Sequence, residues 1–148
     1  MLEVINSKEV TIPTMTTQSI EAVRALETEA LKLTQVQIPV NHVLHAGMYA
    51  RTVMIPAGVM ITGALIKVAT ALIVSGDATV YVGAKTIRLT GYNVMSSGAM
   101  RKQAFLAHAD THLTMIFPSS ASTVEEAEDE FTDEAELLSS RRESICPV

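Results

Sequence analysis

MIPAGVMITGALIKVATALIVSGDATVYVG, residues 54–83, decides how the chain is read. With Val53 it contains the longest apolar stretch of the sequence, Val53 to Val74, long enough to raise the question of a membrane span. Lys67 lies inside it, and Pro56, Gly58, Thr62 and Gly63 interrupt it, so broken strands explain it better than one transmembrane helix. Pro56-Ala57-Gly58 reads as a turn, and Ser75-Gly76-Asp77 as another.

The pattern extends in both directions. Upstream, MYARTVMI (48–55) alternates in part before the Pro-Ala-Gly turn. Downstream, ATVYVG (78–83) leads through a tight hairpin at Gly83 into KTIRLT (85–90). Loops are expected at Gly91–Asn93 and Ser96–Gly98, and AHADTHLTMIF (107–117) then alternates as one strand until Pro118 stops it. Short strands with turns every 8–12 residues predict an antiparallel sandwich or barrel.

The flanks differ from this middle zone. Residues 1–40 combine an extended arm with a helix that Ser19 can cap. Its apolar face is Ile20, Val23, Leu26, Ala30 and Leu33, with Glu21, Arg24, Glu27 and Lys32 on the wet side. That wet side is not basic, so the helix is expected to pack on the body rather than lie on a membrane. Residues 41–118 hold the barrel. Residues 119–148 are acidic, and Thr123 with Glu126 forms a capping-box pattern at the start of a helix whose thin apolar stripe is Val124, Ala127, Phe131 and Ala135.

Composition narrows the function classes. The 148 residues are 48% hydrophobic and 18% charged, which fits one globular domain with a sizeable core. Aromatics are only 4% and Trp is absent, so the core is expected to be built from aliphatic residues and the eight Met. The net charge is −5 and basic residues never run longer than a doublet such as Arg141-Arg142, which argues against nucleic-acid binding. The single Cys146 cannot close an intramolecular disulfide and suits a reducing compartment. MLEVINSKEV at the start carries Glu3, Asn6, Lys8 and Glu9 and does not read as a signal peptide.

HAGMYAR (45–51), IPAG (55–58), TG (62–63), IVSG (73–76) and AHADT (107–111), in this order and spacing, resemble a cupin. The resemblance is to the small cupin-like proteins of tailed phages and prophages in particular. It implies a mainly β fold: an antiparallel jelly-roll barrel, the double-stranded β-helix, here with an N-terminal helix and a C-terminal acidic helix, often dimeric. A metal-binding cupin offers His-x-His after the first turn, then a Glu or Gln and a later His. The corresponding positions here are Ala64, Ile66 and Thr70, none of which replaces imidazole, and the Pro-x-Gly of the second motif is Ser96-Ser97-Gly98. The resemblance therefore implies a barrel without the usual metal site and without a cofactor.

Four histidines elsewhere in the chain are candidates to replace those ligands. His42 and His45 fall on opposite faces of a regular strand, and His108 and His112 share a face but lie roughly 13 Å apart at about 3.3 Å per residue. Asp110 between them offers a partner to either. A site joining His42 or His45 to His108 or His112 by tertiary convergence stays open. Tyr49, Arg51, Arg101 and Lys102 can line a barrel mouth and hold an anion, or Arg51 can simply close an ion pair. The acidic run Glu125, Glu126, Glu128, Asp129 and Glu130 reads as a solvated helix face and lacks an EF-hand loop. No nucleophile elbow or phosphate loop is present in the sequence.

Three functions follow as expectations. The first is a non-catalytic, metal-free barrel acting as a phage-associated structural or interaction module. It would be a homodimer or higher oligomer whose ends clasp neighbouring copies or other phage proteins, in the host cytoplasm or on the virion, with no nucleic-acid or membrane partner. The second is a small-molecule or anion binder using Tyr49, Arg51, Arg101 and Lys102. The third is a metal-dependent isomerase or dioxygenase, which needs the four His to converge.

Overall fold

The structure, a computed structural model, describes residues 11–82 and 85–138. Along the chain it forms α1 (Thr17–Ala30), β1 (Val40–His45), β2 (Met48–Ile55), β3 (Met60–Thr62), β4 (Thr70–Val82), β5 (Lys85–Ser97), β6 (Ala104–Ala107), β7 (Thr111–Pro118), α2 (Val124–Phe131) and a 3₁₀ turn at Ala135–Leu137. The expected hairpin residue Gly83, Cys146, the Arg141-Arg142 pair and the first ten residues lie outside the described residues.

All strand pairings are antiparallel, in the order β1-β2-β7-β4-β6-β3, with β5 along the other side of β4. β4 explains how one sheet becomes a barrel. Its first half pairs with β7, from Ala71↔Ile116 to Ser75↔His112, and its second half with β6, from Ala78↔Ala107 to Tyr81↔Ala104. The change of partner falls at Gly76, whose φ is 146°. A Cβ there would meet Thr111 Oγ1 at 2.5 Å and the Asp110 carbonyl oxygen at 2.8 Å. Only glycine lets the two strands approach this closely at the corner. Ser75-Gly76-Asp77 is therefore a bend inside a 13-residue strand and not a turn between strands. β5 likewise runs unbroken through the expected loop at Gly91–Asn93, because Gly91 pairs with Gly76 across the same corner. The result is a mainly β, jelly-roll type barrel with a helix at each end of the sequence.

Two other expectations are corrected. Residues 107–117 are not one strand: the chain breaks at 108–110 between β6 and β7. Asp110 serves that break, since its Oδ1 accepts from the Ala57 N–H at 2.9 Å and ties it to the Pro56-Ala57-Gly58 turn. His108 instead sits 2.7 Å from Thr79 Oγ1 through Nε2. Strand β1 was not foreseen. It pairs with β2 across Ala46-Gly47, both at positive φ, as a two-residue hairpin loop requires.

The inward face follows the period of two: Tyr49, Arg51, Val53 and Ile55 on β2, and Thr111, Leu113, Met115 and Phe117 on β7. The core is more aromatic than composition implied. All three Phe and Tyr49 are buried, and Tyr49, Phe117 and Phe131 pack with centroids 5.5–6.3 Å apart. Of the methionines, Met15, Met95 and Met115 are buried, while Met48 and Met100 are exposed.

The helices are attached in different ways. Helix α1 is capped by Thr16 rather than Ser19, with Thr16 Oγ1 accepting from the Ser19 N–H at 3.1 Å. Only Val23 of its apolar face is buried, and Leu33 lies beyond the helix, 70% exposed. Helix α2 starts as the sequence indicates: Thr123 Oγ1 accepts from the Glu126 N–H at 3.2 Å, and Glu126 returns a bond to the Ser122 N–H. Its stripe Ala127, Phe131 and, past the helix, Ala135 is buried. No helix among the described residues is long and apolar enough to cross a membrane. Before α1, Ile12 is fully buried and bridges Ser97 at the end of β5.

Candidate functional site

The barrel interior keeps a cavity of about 170 Å³. Both halves of the sheet face it, through Val53, Leu113 and Met115 on one side and Ile61 and Phe105 on the other. Phe131, Leu137 and Leu138, from the C-terminal segment, close it. Hydrocarbon dominates the wall. The polar exceptions are Arg51, Arg101, Gln103 and Thr62.

Positions 64 and 66 come together here, and position 70 is joined to them through Arg101. Ala64 and Ile66 line the cavity, and Ile66 bridges Arg101 through paired backbone bonds of 2.8 and 3.2 Å. Arg101 Nη2 donates to Thr70 Oγ1 at 2.7 Å. The donor set thus consists of a methyl group, a butyl group, one hydroxyl and a guanidinium. This set does not fit a transition metal. Two positions have no lone pair, and the fourth carries a positive charge that repels a cation.

Of the four residues expected at a mouth, only Arg51 and Arg101 reach the cavity. Tyr49 is buried in the aromatic cluster, with its hydroxyl 2.7 Å from His42 Nδ1. Burial, reinforced by Arg51, lowers the His42 pKa, and burial raises that of Tyr49, so a neutral imidazole and a protonated phenol share this hydrogen bond. Arg51 donates to Glu128 Oε2 at 2.9 Å, and both side chains are almost wholly buried. Lys102 points the other way. Its Nζ contacts the Gly63 carbonyl at 2.9 Å, Glu27 at 3.0 Å and Glu134 at 3.1 Å.

Glu134 joins these contacts into one network. It also accepts from Arg24 and from the Leu65 N–H at 3.0 Å. Burial by itself would raise its pKa, but the Leu65, Arg24 and Lys102 donors outweigh that and hold it below the ordinary value. The network pins α1, the segment after β3 and the segment after α2 to one another.

The histidines do not converge: His42 and His45 are on edge strand β1, and His108 and His112 are exposed on either side of the 108–110 break. Among the described residues, no three His, Cys, Asp or Glu side chains gather as a metal-binding group. Sequence reasoning missed Glu27, Glu128, Glu134 and Gln103. Glu128 had a signal: it stands four residues after Val124, on the apolar side of α2, so it is buried rather than solvated. Gln103 had one too, since it alternates with Arg101.

No family model matches the chain. No curated protein matches it either. Among solved structures, it is similar to ectoine synthase from P. lautus, with 17% identity over 67% of this chain and 76% of that one and a TM-score of 0.49. It is similar to a cupin superfamily protein from Desulfitobacterium hafniense at 13% identity, over 60% and 83% of the two chains, with a TM-score of 0.48. It is also similar to the cupin domain of an XRE family transcriptional regulator from Enterobacter cloacae at 11% identity, over 56% and 99%, with a TM-score of 0.47.

Proposed function

We propose that this chain is a cupin-type barrel that has given up metal chemistry and acts as a non-catalytic interaction module. One observation carries the reading: Arg101 occupies the interior beside Ala64, Ile66 and Thr70, so a fixed cation stands where a bound metal would need neutral or anionic donors. Two of the three buried cations are spent on structure. Arg51 is paired to α2 and Lys102 to α1 and Glu134, leaving no acid–base pair beside the cavity among the described residues.

The outside supports association with a second copy. Among the described residues, β5 pairs only with β4, apart from the bonds of Ile12 around Ser97. Beside its free edge, Tyr92 and Val94 project from the outer face of β5 and are 70% and 64% exposed. An antiparallel edge maps onto itself about a two-fold axis, so one such strand suffices to build a symmetric dimer. The reading as a phage-associated module, in the host cytoplasm or on the particle, is supported by the resemblance of the sequence motifs to small cupin-like phage proteins alone. Light scattering across a dilution series tests the association. A dimer or larger species that Tyr92→Lys with Val94→Lys converts to monomer is expected. A monomer at all concentrations overturns it.

A further inference from the structure

Three cations are buried among the described residues: Arg51, Arg101 and Lys102. Glu128 neutralises the first, and Glu27 with Glu134 the third. No carboxylate among the described residues comes within ion-pair distance of Arg101, and burial alone pushes its pKa down to about 10. It is still protonated at neutral pH, so among the described residues the cavity holds one uncompensated positive charge. Such a charge is costly unless something answers it.

The hydrogen bonds show where an answering group fits. Arg101 Nη1 donates to the carbonyls of Val68, at 3.2 Å, and Gly98, while Nη2 donates to Thr70. Its Nε–H has no partner among the described residues. Gln103 Nε2 is also buried without a partner among them. The two residues are 2% and 6% exposed, stand two apart in an extended run, and both line the cavity, whereas Lys102 between them faces outward to α1. Unused donors buried beside a charge are rare in folded proteins and mark a missing acceptor. The cavity wall also presents Ile61, Phe105, Leu113 and Met115.

We propose that the barrel binds a short-chain monocarboxylate, whose oxygens accept from Arg101 Nε and Gln103 Nε2 and whose tail lies against Ile61, Phe105, Leu113 and Met115. The ligand is small. The cavity of about 170 Å³ is close to the ~150 Å³ engineered cavity that accepts benzene, so a tail of about four carbons fits. A neutral molecule leaves the charge unanswered, and a dicarboxylate buries a second charge against hydrocarbon. The proposal rests on the metal-free reading, and the two fail separately: metal shows in elemental analysis, ligand binding in the assay below.

Thermal unfolding of the full chain with isovalerate, isoamyl alcohol and isoamylamine tests it. These probes share one hydrocarbon tail and differ in the head group. Isovalerate at tenfold excess over its Kd is expected to raise Tm by about 4 °C, with no rise from the alcohol or the amine. Gln103→Leu removes one donor without burying a new polar group and is expected to weaken isovalerate about tenfold. Gln103→Glu supplies the carboxylate from within. It is expected to raise Tm without ligand and to abolish the response to isovalerate. Equal stabilisation by the alcohol, no response to isovalerate, or unchanged affinity in Gln103→Leu overturns the proposal.

Discussion

The Arg51–Glu128 pair separates a structural arginine from a ligand-binding one, and its energetics follow from its burial. The two side chains are 9% and 2% exposed and meet at 2.9 Å, and the Arg51 guanidinium lies 5.8 Å from the Phe131 ring centroid. Glu128→Ala removes a carboxylate partner from a buried guanidinium, which costs about 3–5 kcal/mol. At roughly 3 °C per kcal/mol for a chain of this size, Tm falls by about 9–15 °C. Replacing both partners, as Arg51→Met with Glu128→Leu, removes the buried charges together and returns stability to within about 1–2 kcal/mol of the parent. Urea unfolding followed by circular dichroism measures all three proteins, and the single-variant losses test whether α2 is held by this pair. A loss under about 1 kcal/mol in Glu128→Ala would refute the placement of Glu128, since an exposed pair costs no more than that. A double variant as unstable as the single one would show that packing by Arg51, not its charge, closes the barrel.

Further outcomes follow from the corner, the network and the apolar interior. Gly76→Ala drives a Cβ into Thr111 and the Asp110 carbonyl, so it should cost about 3–5 kcal/mol in denaturant unfolding. Gly47→Ala, with open space around it, should cost only about 1 kcal/mol of backbone strain. Glu134 has a depressed pKa when folded, so its stabilisation is complete above its ordinary value of 4.5 and is lost as pH falls through the folded value. Glu134→Gln should therefore flatten the acid side of a stability–pH profile; an unchanged profile contradicts the network. Ile66→His places a polar ring in the half-buried apolar wall and should lower stability by about 1–3 kcal/mol; an unchanged Tm contradicts the placement.

Local chemistry made part of this fold legible. The turn at Pro56-Ala57-Gly58 and the cap at Thr123 depend on neighbours within four residues, so the sequence carries them. The alternation of Tyr49, Arg51, Val53 and Ile55 likewise fixes one face of β2. Gly76 reads locally as a turn, and only the approach of Thr111, 35 residues on, turns it into a bend. The break at 108–110 is set by Asp110 reaching Ala57, which the alternation of AHADTHLTMIF conceals. Within the candidate site, the apolar side chains of Ala64 and Ile66 were plain in the sequence. The partners of Arg51 and Lys102 were not, because Glu128, Glu27 and Glu134 arrive from distant segments.

Elemental analysis of protein purified without chelator, from medium supplemented with iron, zinc, nickel and manganese, bears most directly on what this barrel does. The interior built from Ala64, Ile66, Thr70 and Arg101 predicts far less than one metal ion per chain, unchanged by dialysis against any of the four. One tightly held ion per chain, lost together with folding stability when His42, His45, His108 or His112 is replaced by Ala, would contradict it.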